Sequence, residues 1–302
     1  MPLGSATLNR SLNFTVVNLM QSQEASMKLS LKFVQRFLLF TAPLVTGSVF
    51  VALPGLAATH ATSGSAVNLS NFSHNPVETS TFTDTNTLTI TSIDSINSNS
   101  SALVPPAAAV TANADALATF PVNPSPALTE AFNVSLSAAQ GDSQGESHSY
   151  LGLGQSFSQV VGYNFSIGAN ETFSFDVNAA LGLQTSTEYV GETARAAGNI
   201  SFLLFDTTGM TDPSKIDWNN PLEFITFSAQ LDSSGQNYYT LGKSANLNFQ
   251  PTNVAINASA GENQQSFFGS LQGTISRGFN KLTSLALVAF QGNQVSVSCK
   301  AP

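Results

Sequence analysis

The sequence predicts an all-β fold, an antiparallel two-sheet β-sandwich of jelly-roll-like form, and three observations predict it. Apolar and polar residues alternate with a period of two in run after run toward the C-terminus, the pattern of half-buried strands. Gly, Pro, Asn and Asp interrupt those runs at the short spacing of sandwich turns. No window of useful length carries helical periodicity. The 302 residues, 42% of them hydrophobic, are enough to bury one sizeable core.

The clearest stretch is VGYNFSIGANETFSFDVNAALGL, Val161 to Leu183. Val161, Tyr163, Phe165 and Ile167 share one parity, and Phe173, Phe175, Val177, Ala179, Leu181 and Leu183 share another. Gly168 to Glu171 between them suits a turn, so a β-hairpin is the expected arrangement. Phe132, Val134 and Leu136 alternate with Asn133, Ser135 and Ser137, which predicts a strand with its apolar residues inward. Further strands are expected at 149–160, 200–205, 224–231, 238–249, 254–258, 267–275, 282–290 and 295–299, with 207–220 as a long loop. Residues 127–302 thus form the expected sandwich core.

Ahead of that core lie three segments. Residues 1–26 have neither an apolar run nor a basic cluster and read as an upstream-start extension. Residues 27–58 place Lys28, Lys32 and Arg36 before an apolar stretch that ends in Gly55, Ala57 and Ala58, the pattern of a cleaved signal peptide; a retained membrane anchor is the rival reading. Residues 62–126 are rich in Ser, Thr and Asn. Val67 and Leu69, then Leu88 and Ile90, alternate with polar residues there, as edge strands would, while a disordered hydroxyl-rich lead-in has the same composition. Ala107 to Phe120 fits a short helix or a strand.

Charge narrows the function classes. Charged residues make up 9% of the chain, against about 25% in an average protein. The formal net charge is -8, and removing 1–57 takes away four cations and one anion, leaving -11. So acidic a surface repels phosphate backbones and anionic membranes, which argues against nucleic acid as a partner. The single cysteine, Cys299, excludes an intramolecular disulfide.

Catalytic patterns are sparse. His148 is the one histidine of the strand-rich region, and His-Glu-x-x-His and phosphate-binding Gly loops do not occur. A glycoside hydrolase needs only two carboxylates, for which Glu171, Asp176, Glu188, Glu192 and Glu223 are available. The loop 206–221 is the richest in oxygen ligands, and Asp206, Asp212 and Asp217 are its candidate Ca²⁺ ligands. Turn formation explains Asp212 as well. Trp218, the only tryptophan, lies in the same loop and either stacks on a sugar ring or anchors the loop; Tyr238 and Tyr239 are companions for the sugar reading.

MKLSLKFVQRFLLFTAPLVTGSVFVALPGLAA, AVNLSNFSHNP and SYLGLGQSFSQVVGYNFSIGANETFSFDVNAALGLQTS together make the chain resemble a group of uncharacterised exported cyanobacterial β-rich proteins, some similar to surface precursors of the PEP-CTERM sorting type. The resemblance implies an extracytoplasmic β-rich domain at the cell surface or in the matrix, and implies no catalytic residue. The end, LVAFQGNQVSVSCKAP, carries no Pro-Glu-Pro sorting signal, so free secretion is expected. The expected function is a secreted structural or binding protein of the extracellular layer, non-enzymatic, needing no cofactor unless Ca²⁺. Its expected partners are extracellular polysaccharide or surface proteins. A lectin-like glycan-binding module, with or without Ca²⁺, and a carboxylate-pair glycoside hydrolase are the alternatives.

Overall fold

The computed structural model describes residues 59–93, 109–142, 148–210, 212, 215–261 and 263–299; the expected signal peptide and upstream extension lie outside them. The described residues form twelve strands: β1 (Thr59–Ser70), β2 (Glu78–Ile93), β3 (Ala109–Thr119), β4 (Ala131–Asp142), β5 (His148–Ile167), β6 (Thr172–Ser186), β7 (Glu192–Asp206), β8 (Glu223–Asp232), β9 (Tyr238–Lys243), β10 (Asn248–Ala260), β11 (Gln264–Gly278) and β12 (Thr283–Cys299). They make two six-stranded sheets, ordered β10-β11-β6-β1-β4-β3 (sheet A) and β2-β5-β12-β7-β8-β9 (sheet B). Every pairing is antiparallel, so the fold is an antiparallel two-sheet β-sandwich. Residues on both sides of position 127 build it: β1 lies in the middle of sheet A between β6 and β4, while β2 and β3 are edges. The runs 282–290 and 295–299 are one continuous strand, β12.

The expected hairpin is not one. β5 pairs with β2 and β12 in sheet B, and β6 pairs with β1 and β11 in sheet A, so the turn 168–171 is an arch from one sheet to the other. The physical reason lies in the two apolar faces. Paired side by side they would share one side of one sheet; arched, they face each other and bury both. Phe165 and Ile167 meet Phe173 and Phe175, all four at most 1% exposed, with the Phe165 and Phe173 rings 4.8 Å apart. Phe72 packs on Phe120, Phe165 and Phe175 at 5.6 to 6.0 Å between centroids. Each such burial stabilises by about 1.5–3 kcal/mol.

The single parity read across 161–167 also breaks. Leu287 pairs with Gly162 and Leu285 with Phe165, so β5 carries a bulge, where Asn164 takes φ 57°. The extra residue turns Val161 and Tyr163 to the outer side of sheet B while Phe165 and Ile167 stay inside. The loop after β7 covers that outer patch: Ile216 and Trp218 pack with Val161, Tyr163, Phe205, Ala286 and Val288.

β4 reverses the expected polarity. Asn133, Ser135 and Ser137 are 0% exposed and face sheet B, whereas Leu136 is 43% exposed on the outer face. A hydrogen-bonded belt makes this possible. Ser156 Oγ lies 2.7 Å from Ser135 Oγ and 2.9 Å from Ser137 Oγ. Asn293 Nδ2 donates to Ser65 Oγ (2.8 Å) and to the Ser135 carbonyl (3.0 Å), and Asn293 Oδ1 accepts from Ser63 Oγ (2.6 Å). Gln291 Nε2 donates to the Asn133 carbonyl and to Asn133 Oδ1. Near the belt only small residues fit. A Cβ on Gly154 of β5 would stand 3.1 Å from the Asn113 carbonyl of β3, so here the sheets approach to backbone contact.

The two sides of the sandwich are finished differently. On one side, β10 carries Pro251 and a register break between Pro251 and Asn253, and β9 has only six residues and ends in Lys243. These are the usual devices that stop a sheet edge from pairing with another chain. On the other side β2 runs sixteen residues and β3 eleven, both in unbroken register and without Pro, Lys, Arg or Gly.

Candidate functional site

The outer face of sheet A presents aligned rows of short polar side chains. Register places Asn253 of β10, Gln272 of β11, Asn178 of β6 and Asn68 of β1 side by side across four strands. Gln272 Nε2 donates to Asn178 Oδ1 at 3.1 Å, which orients both amides along the row. In the next row Asp176 accepts from Thr274 Oγ1 at 2.6 Å and from Asn71 Nδ2 at 2.7 Å. Asn71 reaches it from an αL position, φ 52°, just beyond β1. Farther along, Phe268 stands beside Gly182, which pairs with Gly64, so a half-buried aromatic ring borders a low floor. Around the amide row the face offers amide and hydroxyl donors and acceptors beside the Asp176 carboxylate, which is already engaged by two partners. That chemistry matches a neutral, hydroxyl-rich ligand better than a charged one.

A second feature is a cleft of about 560 Å³ at the arch end, lined by Glu171, Asp206, Arg277, Lys281 and neighbours. Ser73 Oγ lies 2.8 Å from His74 Nδ1, and His74 Nε2 lies 3.1 Å from Glu171 Oε2, an order of groups that superficially matches a hydrolytic triad. The bonds around it fasten a loop instead. Ser73 Oγ accepts the Ser174 amide at 2.9 Å and the Ser73 amide donates to the Ser174 carbonyl at 2.9 Å, so this serine ties the chain after β1 to β6. The Gly168 amide, and after it His74, hold the Glu171 carboxyl below the usual carboxylate range, the opposite of what a proton donor needs. Asp206 Oδ1 accepts the Thr208 amide at 2.9 Å in its own turn. Below the cleft the two sheets are joined by Arg277 of β11 and Glu223 of β8. Their Nε and Oε1 are 2.9 Å apart with Glu223 1% exposed, close enough for an ion pair though not aligned as a hydrogen bond.

The residues singled out from sequence are dispersed. Trp218 is half-buried and meets Phe205 edge-on, with centroids 5.1 Å apart at 73°. Tyr238 and Tyr239 lie on edge strand β9, 52% and 54% exposed, and Tyr239 stacks on Phe267 at 5.7 Å. Tyr238 aligns through Gln230 with Ala197 of β7, eight residues from Phe205, a separation of about 26 Å along the strand. The three rings therefore do not share one surface. Asp217 Oδ1 accepts the Asn219 amide at 3.1 Å, and Asp206 is bound in its turn as above. Asp212 is exposed, and its carbonyl accepts the Lys215 amide at 3.1 Å. Among the described residues no three of His, Cys, Asp and Glu converge into a metal-ion group. His148 opens β5 beside Ile93.

The amide row escapes a reading of one strand at a time. Asn68, Asn178 and Gln272 each sit on the polar parity of a separate strand, and only cross-strand register joins them. No family model, curated protein or solved structure matches the chain.

Proposed function

We propose that the chain is a non-enzymatic, secreted structural or binding component of the extracellular layer, and that it meets neutral polysaccharide on the outer face of sheet A. The observation that supports this reading is the aligned row Asn253, Gln272, Asn178 and Asn68 with its internal amide hydrogen bond. Sugar hydroxyls need paired donors and acceptors at fixed spacing, and four amides in register supply them without a charge to desolvate. The chain's acidity keeps it away from anionic surfaces while leaving neutral polymers accessible.

Affinity electrophoresis of the purified protein through neutral extracellular polysaccharides, with Ca²⁺ and again with chelator, tests this. Retardation that falls at least tenfold in Asn178→Ala/Gln272→Ala and persists in Trp218→Ala is the expected result. Loss in Trp218→Ala or with chelator would move the site to the loop 206–221, and no retardation of the wild type would remove the glycan reading.

A further inference from the structure

We infer that the chain forms a two-fold dimer by pairing β2 with β2 of a second copy, centred on Thr85. The edge invites pairing, since β2 is long, regular in register and without the Pro, Lys or bulge that blunt the opposite side. Its sequence is also complementary to itself in one register. Threonine occupies every odd position from Thr79 to Thr91, so antiparallel pairing about Thr85 sets Thr79 against Thr91, Thr81 against Thr89 and Thr83 against Thr87. Cross-strand Thr pairs are favourable.

On the other parity the same register places Phe82 against Leu88, Ser80 against Ile90 and Asp84 against Asn86. Leu88 and Ile90, 46% and 50% exposed in the single chain, gain partners in this way. Neighbouring registers fail. Centring on Asp84 opposes two carboxylates, centring on Asn86 sets Leu88 against Asp84, and any one-residue slip mixes the two faces.

The area suffices. Sixteen residues span about 53 Å. With a side wall roughly 15 Å deep, each copy buries on the order of 800 Å², the size of a stable interface. The axis also crosses sheet A near its own open edge. Thr85 pairs with Ser156, which hydrogen-bonds Ser135 and Ser137, the partners of Ala116 and Ala114 in β3.

Sedimentation of the full chain over a wide concentration range, with cysteine crosslinking in a Cys299→Ser background, tests the pairing. The expected results are a dimer, dissociated by Thr85→Lys but not by Val254→Lys on β10. Thr85→Cys should form a covalent dimer under mild oxidation. Thr79→Cys should crosslink when mixed with Thr91→Cys and not with itself. Circular dichroism confirms that the exposed lysine leaves the fold intact. A monomer at every concentration, a dimer dissociated by Val254→Lys instead, or Thr85→Cys crosslinking no faster than Val254→Cys would overturn the inference.

Discussion

Phe165 and Phe173 are eight residues apart in the chain and 4.8 Å apart between ring centroids, yet they belong to opposite sheets. The arch between them is therefore held by the core it closes and not by strand pairing. Phe173→Ala is expected to destabilise by about 3–5 kcal/mol, with Phe165→Ala similar. Because the rings touch, the double variant should cost less than the sum of the two. Urea denaturation of the set measures this, and strict additivity would mean that the rings do not support each other.

Asn293 binds three groups in the interior belt. Asn293→Ala leaves the Ser65 hydroxyl and the Ser135 carbonyl without this donor, each at about 1–3 kcal/mol. Gln294→Ala, one residue on and exposed, should change stability by less than about 0.5 kcal/mol. Denaturation midpoints of the two variants make the comparison.

Removing one partner of the Arg277 and Glu223 pair exposes an asymmetry. Arg277→Met is expected to cost about 3–5 kcal/mol, because Glu223 would stay buried with its charge uncompensated. Arg277→Met/Glu223→Gln should recover most of that loss. A double variant as unstable as the single one would show that the cost came from losing the Arg277 guanidinium over the Phe279 ring, where Cζ lies 5.3 Å from the ring centroid.

Acid should weaken the opposite end of the sandwich. Burial pushes the Glu192 carboxyl up, but hydrogen bonds from the Thr59 hydroxyl, the Tyr189 and Glu188 amides and the Tyr150 hydroxyl outweigh it, and the group lies below its usual 4.5. A carboxyl depressed in the folded state stabilises above its unfolded value, and that contribution disappears as pH falls through the folded one. Stability should thus decline below about pH 4.5, and Glu192→Gln should flatten that decline while lowering stability at pH 7. Burial raises the Tyr150 hydroxyl, so its contribution is present below pH 10 and is lost as pH rises through the folded value. Thermal melts across pH 3–11 would reveal both limbs.

Strand positions were legible because alternation is a local property: β6, β8 and β11 lie where it predicts them, and the expected run 200–205 is the C-terminal part of β7. Partnership was not legible. The stretch 161–183 has the same alternation whether its arms pair or arch, and the arch is decided by contacts with β1, β11, β2 and β12 far along the chain. Polarity misled at β4, since hydrophobicity alone turns Phe132, Val134 and Leu136 inward. The deciding partners, Ser156, Gln291 and Asn293, lie at least nineteen positions away in sequence. The candidate amide row has the same origin, as it exists only across strands.

The polar belt has a thermal consequence. Exposing apolar surface raises the heat capacity on unfolding, whereas exposing amides and hydroxyls lowers it. A sandwich that buries Asn133, Ser135, Ser137, Gln291 and Asn293 among its core residues should show a heat-capacity increment below the usual ~12–15 cal/mol/K per residue. Its stability curve is then shallow, and cold and heat each erode the fold slowly, a property suited to a protein exposed to whatever temperature its surroundings impose.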